Sequence, residues 1–123
     1  MLVGGIVGMV DDLIGLKVKE VQKVVVNENI TSIGDCAFAC FNELTSVSLP
    51  STLETIGNKA FPLCKKLESI YIPEKVTSIG DNTFYKCLEL TDVTLPSNLT
   101  DVPANMFYRC DKLESINIPE TVE

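Results

Sequence analysis

Five cysteines are the residues of this chain best equipped for chemistry: Cys36, Cys40, Cys64, Cys87 and Cys110. A thiolate can attack an electrophile, bind a soft metal or close a disulfide. Each role needs partners. A nucleophile needs an orienting base, and the chain has no histidine, which is also the commonest metal ligand. A zinc site needs four converging ligands, whereas Cys64, Cys87 and Cys110 recur every 23 residues and so form a column. The odd count leaves at least one thiol free unless chains cross-link. Cys36 and Cys40 make a Cys-x3-Cys pair able to bridge, although chance is the simpler account. The acidic pair Asp11-Asp12 has no base, phosphate loop or metal spacing beside it and reads as surface charge. Nucleotide-binding loops are absent as well. No enzyme, no cofactor and no metal site are expected.

Composition narrows the partners. The net charge is -7, from 17 acidic and 10 basic residues, which argues against nucleic acid and against an anionic membrane surface. Hydrophobic residues make up 46% of the 123 positions, enough for one domain with a core. No apolar run is long enough for a membrane-spanning helix. The apolar start, Met1 to Val10, lacks a basic flank and reads as part of the fold, with no signal peptide visible. Asn29-Ile30-Thr31 and Asn98-Leu99-Thr100 match the glycosylation sequon, which matters only in a secreted eukaryotic chain.

The cysteine column is one of many. Leu67-Glu68-Ser69-Ile70-Tyr71-Ile72-Pro73 has counterparts 23 residues away on both sides, Leu44 to Pro50 and Leu90 to Pro96, and again at Leu113 to Pro119. A fixed period in this range marks a solenoid. Four repeats follow, 28–50, 51–73, 74–96 and 97–119, with the start of a fifth at Val122. Phe38, Phe61, Phe84 and Phe107 form an aromatic ladder; Leu44, Leu67, Leu90 and Leu113 another. Val47 and Leu49, with their equivalents, lie two apart and face one side of a strand. Each coil should pair its strand with the next in a parallel sheet, ended by the proline. Gly34, Gly57 and Gly80 mark a turn. The segment that follows predicts one short helical turn, capped by Asp35, Asn58 or Asp81. The Ile-containing segment before the glycine is a second short strand or simply extended. Cys64 and Cys87 fall about 5 Å apart across coils, within bridging range, but their inward, parallel side chains favour buried free thiols.

Residues 1–27 form a degenerate first repeat or an N-terminal cap. Extending the register back puts Val26, Val24 and Val21 in apolar columns and makes 5–27 a coil, with Gly15 failing in the Phe column. A capping helix over 6–16 is the competing reading, since Ile6, Val10, Leu13 and Ile14 have helical spacing. The whole is expected to be one continuous domain.

The pattern I-G-x-x-A-F-x-x-C-x-x-L-x-x-V-x-L-P, clearest at Val76 to Cys87, resembles the BspA-like (Treponema-type) leucine-rich repeat family over residues 28–122. The resemblance implies a right-handed repeat solenoid with a parallel β-sheet on its concave face and short helical turns or loops on the other, an α/β arrangement. It also implies a cell-surface or secreted protein acting in adhesion or host contact.

The candidate site is the outward stripe of the sheet: Ser46, Ser48, Ser69, Tyr71, Asp92, Thr94, Ser115 and Asn117, with Lys23 and Val25 added by the first coil. Short polar side chains leave an open surface on which a protein or glycan could lie. Tyr71 is its only aromatic, and aromatics carry interface energy. The plainer alternative is a solvated sheet face. Tyr85, Tyr108, Lys86 and Arg109 fall on the opposite side and read as ordinary surface. Other roles in view are self-association through uncapped ends and an intracellular scaffold, which free thiols would suit.

Overall fold

A computed structural model describes residues 2–3 and 20–122. The helix expected over 6–16, most of the coil expected over 5–27, and Asp11-Asp12 lie outside the described residues. Eight short strands occur among the described residues: β1 (Leu2–Val3), β2 (Lys23–Val26), β3 (Ser32–Ile33), β4 (Ser46–Ser48), β5 (Thr55–Ile56), β6 (Ser69–Tyr71), β7 (Ser78–Ile79) and β8 (Asp92–Thr94). They line up in two rows. In the first, β1, β2 and β4 pair in parallel, as do β6 and β8. Between β4 and β6 the Glu68 N–H donates to the Thr45 carbonyl at 3.4 Å. The second row is β3, β5 and β7, again parallel, so the Ile-containing segment is a true short strand.

Every pair keeps the 23-residue register: Val24 faces Val47, Ile70 faces Val93, and Ile33 faces Ile56. Inward and outward residues alternate along β2, β4, β6 and β8. Val24, Val47, Ile70 and Val93 are buried while their neighbours are exposed. The core is the stack of these columns. Phe38, Phe61, Phe84 and Phe107 stack with centroids 5.1, 5.7 and 5.9 Å apart and nearly parallel planes. Phe41 meets Phe38 edge-on at 5.4 Å.

The expected helical turn is corrected, as no α-helix occurs among the described residues. Residues 35–40 and their equivalents instead form a run of tight turns in which Ala37 and Ala39 donate within the coil, to Gly34 and Cys36. Cys36, Phe38 and Cys40 donate outward, to Asn58, Ala60 and Pro62 of the next coil, at 3.0, 2.8 and 3.2 Å. Left-handed residues at Cys36 and Cys40 (φ 58° and 63°), repeated at Lys59 and Leu63 (51° and 62°), accompany the alternation. The predicted caps change role accordingly. Asp35 Oδ1 accepts from the Asn58 N–H at 2.7 Å, Asn58 Oδ1 from Asp81 at 2.8 Å, and Asp81 Oδ1 from Ala104 at 2.9 Å. They cap the next coil, not their own.

The glycine column has a related cause. A Cβ on Gly57 would lie 2.4 Å from Asp35 Oδ1 and 2.7 Å from the Asp35 backbone nitrogen. Close approach between coils, rather than a turn, selects glycine here. Gly57→Ala is expected to lower stability by about 1–3 kcal/mol, the usual range for overpacking. Urea denaturation checks this, and an unchanged midpoint would show that the coils separate freely.

Candidate functional site

The sheet face is built by alternation. Once Val47, Ile70 and Val93 point inward, their flanking residues must point out. Ser46 and Ser48 therefore stand exposed on β4, Ser69 and Tyr71 on β6, and Asp92 and Thr94 on β8. Ser115 and Asn117 are also exposed, in a segment outside any strand. Val25 on β2 is 48% exposed and Tyr71 56%, unusual for large side chains in a chain whose other apolar columns are mostly buried. Cross-strand register puts Ser69 beside Asp92 and Tyr71 beside Thr94.

Tyr71 borders a groove of about 330 Å³ lined also by Glu28, Leu49, Ser51, Pro73, Glu74 and Lys75. Its carboxylates are held from neighbouring coils. Ser51 Oγ donates to Glu28 at 3.0 Å. The Ser97 hydroxyl and N–H both donate to Glu74, at 2.6 and 3.1 Å. The Ser97 hydroxyl, then its N–H, hold the Glu74 carboxyl below its ordinary pKa. None of Glu28, Ser51, Glu74 and Ser97 was singled out from the sequence. Their signal is a double period: Glu28, Ser51, Glu74, Ser97 and Glu120 alternate in one column, and Glu43, Lys66, Glu89 and Lys112 in another. The second column forms ion pairs between coils, Lys66 to Glu43 at 2.7 Å and Lys112 to Glu89 at 2.6 Å.

On the turn side Tyr85 and Tyr108 stack at 5.0 Å, with the Lys86 ammonium 5.3 Å from the Tyr85 ring centre. Arg109 pairs with Asp111 at 3.2 Å. These side chains largely satisfy one another.

All five cysteines are free, Cys36 and Cys40 exposed and the other three buried. Cys64, Cys87 and Cys110 donate their thiols to the carbonyls of Phe38, Phe61 and Phe84 at 3.3, 3.2 and 3.1 Å. Burial pushes Cys64 up to about 12 and Cys110 to about 11, and raises Cys87 as well. These are inert core groups, the opposite of an activated nucleophile. Among the described residues no cluster of His, Cys, Asp or Glu could hold a metal, and no helix is long and apolar enough to cross a membrane.

A family model described as the BspA type leucine rich repeat region matches residues 16–123 in 6 copies. The crystal structure of a T. pallidum leucine rich repeat protein, TpLRR, is similar with a TM-score of 0.79 and 30% identity, covering 82% of this chain and 47% of that one. A leucine-rich repeat protein from Bacteroides ovatus ATCC 8483 is similar with a TM-score of 0.62 and 27% identity, over 85% of this chain and 33% of that one. The chain thus spans less than half the length of either. No curated protein matches.

Proposed function

Because the chain belongs to the BspA-type leucine-rich repeat family, we propose that it is a non-enzymatic binding module that recognises a protein or glycan across the sheet face. Its place is at a cell surface, in adhesion or host contact, a reading drawn from the family alone. The observation that carries the recognition reading is Tyr71, a large aromatic left 56% exposed on β6 among serine, threonine and asparagine side chains. Interface energy concentrates in such aromatics, while small polar neighbours let a partner approach.

The test is to pass the purified chain, in reducing buffer, over immobilised matrix proteins and glycans beside a Tyr71→Ala/Asn117→Ala variant of equal thermal stability. Both side chains are exposed, so folding should be unaffected. Saturable binding that falls about tenfold or more in the variant is expected. Equal binding by both proteins would remove the site. A mass that rises with concentration would then favour self-association, for which Val102 and Ile118 offer exposed apolar surface.

A further inference from the structure

The groove beside Tyr71 is more specific than the stripe it borders. Leu49 and Pro73 supply apolar lining, and the exposed Tyr71 ring flanks them. Glu28 and Glu74 are two 23-residue periods apart, and Glu74 follows Tyr71 by three residues. At about 4.8 Å per coil they lie roughly 10 Å from each other, Glu74 level with the tyrosine and Glu28 two coils back, across the coil of Ser51. Each is fixed by a serine of the following coil, Ser51 or Ser97. Lys75 on the lining is the single cation against these two carboxylates. On the sheet face the exposed charges are Asp92 on β8 and Lys23 on β2.

An aromatic face, an aliphatic lining and a carboxylate on each outer coil of the groove match the parts of a lysine or arginine side chain. The stem lies on apolar surface, the charged head meets the carboxylates, and a cation is drawn to the ring. We propose that this groove receives a lysine or arginine side chain of a protein partner. The inference rests on the sheet-face reading and narrows it from protein or glycan to a protein segment carrying a basic anchor. Lys75, on the same lining, is a like charge that such an anchor would meet.

The test titrates the isotope-labelled chain with a capped peptide of alternating serine and lysine, and with the same peptide acetylated on every lysine, following backbone amides by NMR. The lysine peptide is expected to shift Tyr71, Ser51 and Glu74 and to bind about tenfold more tightly than the acetylated one. Glu28→Gln/Glu74→Gln keeps an oxygen for each serine and so should fold normally, yet it should abolish that preference. Lys75→Gln should strengthen binding, which a merely structural role for these residues would not produce. Equal affinity for both peptides, or no shift at Tyr71, would overturn the proposal. Shifts at Ser46, Ser69 and Asp92 that do not distinguish the peptides would remove the basic anchor and leave the sheet face standing. No shift on the face with either peptide, joined to no binding in the immobilised panel, would remove both.

Discussion

Phe84→Ala is expected to lower stability by about 3–5 kcal/mol, the range for deleting a buried aromatic side chain. Phe84 is fully buried and stacked on both faces, 5.7 Å from Phe61 and 5.9 Å from Phe107. Its loss opens a void between coils that neighbouring columns cannot easily fill, because their spacing is held by backbone hydrogen bonds such as Phe84 N–H to the Met106 carbonyl at 3.0 Å. In a stacked array each coil draws stability from its neighbours, so an inner defect weakens two interfaces at once. Domains of this size are stable by only about 5–15 kcal/mol, and the variant should melt far earlier. Phe107 is only partly buried and touches one ladder partner. Phe107→Ala should therefore lower stability less. Thermal and urea denaturation of both variants check the pair. A Phe84→Ala melting temperature equal to that of the native chain would contradict the ladder.

Stability should also fall steeply in alkali. Cys64, Cys87 and Cys110 titrate above the ordinary thiol value of 9.0 because burial disfavours the thiolate. In the unfolded chain they titrate normally, so above pH 9 the unfolded state binds fewer protons than the folded one. Their contribution is full below about pH 9 and is lost as the pH rises towards the folded values, about 11 for Cys110 and about 12 for Cys64. Each thiol contributes about 1.4 kcal/mol per pH unit in that window, so the three together approach about 4 kcal/mol per unit. A variant isolates the thiols. Cys87→Ala should lose some stability at neutral pH through the small cavity it leaves, yet its alkaline slope should be shallower by about 1.4 kcal/mol per pH unit. Urea midpoints followed across the window would show this. Identical slopes in the two proteins would mean that the buried thiols titrate as they do in water.

The stacked columns were legible in the sequence because burial acts on each of them in the same way. Leu44, Leu67 and Leu90 must all face inward, so the 23-residue period repeats one chemical type. The stripe from Ser46 to Thr94 follows from the alternation that this imposes on each strand. The turns were harder to read. Asp35 before an apolar pair looks like the cap of a helical turn, and nothing local says that its carboxylate serves the Asn58 N–H of the next coil. The left-handed positions hold Cys36, Cys40, Lys59, Leu63, Lys86 and Arg109 as well as Asn82 and Asn105, so only two carry a residue that signals such a backbone. Glu28 and Glu74 escaped notice for another reason. A single-coil period mixes them with Ser51 and Ser97, and only a two-coil period separates acceptor from donor.

Recognition through the sheet face is tested most directly by comparing Tyr71→Ala with Tyr108→Ala in one binding measurement on the immobilised panel. Both tyrosines are about half exposed, at 56% and 48%, and they stand on opposite sides, one on β6 and one among the turns. Tyr71→Ala should lose saturable binding while Tyr108→Ala binds as the native chain does. Loss in Tyr108→Ala with binding intact in Tyr71→Ala would contradict the account and move recognition to the turns.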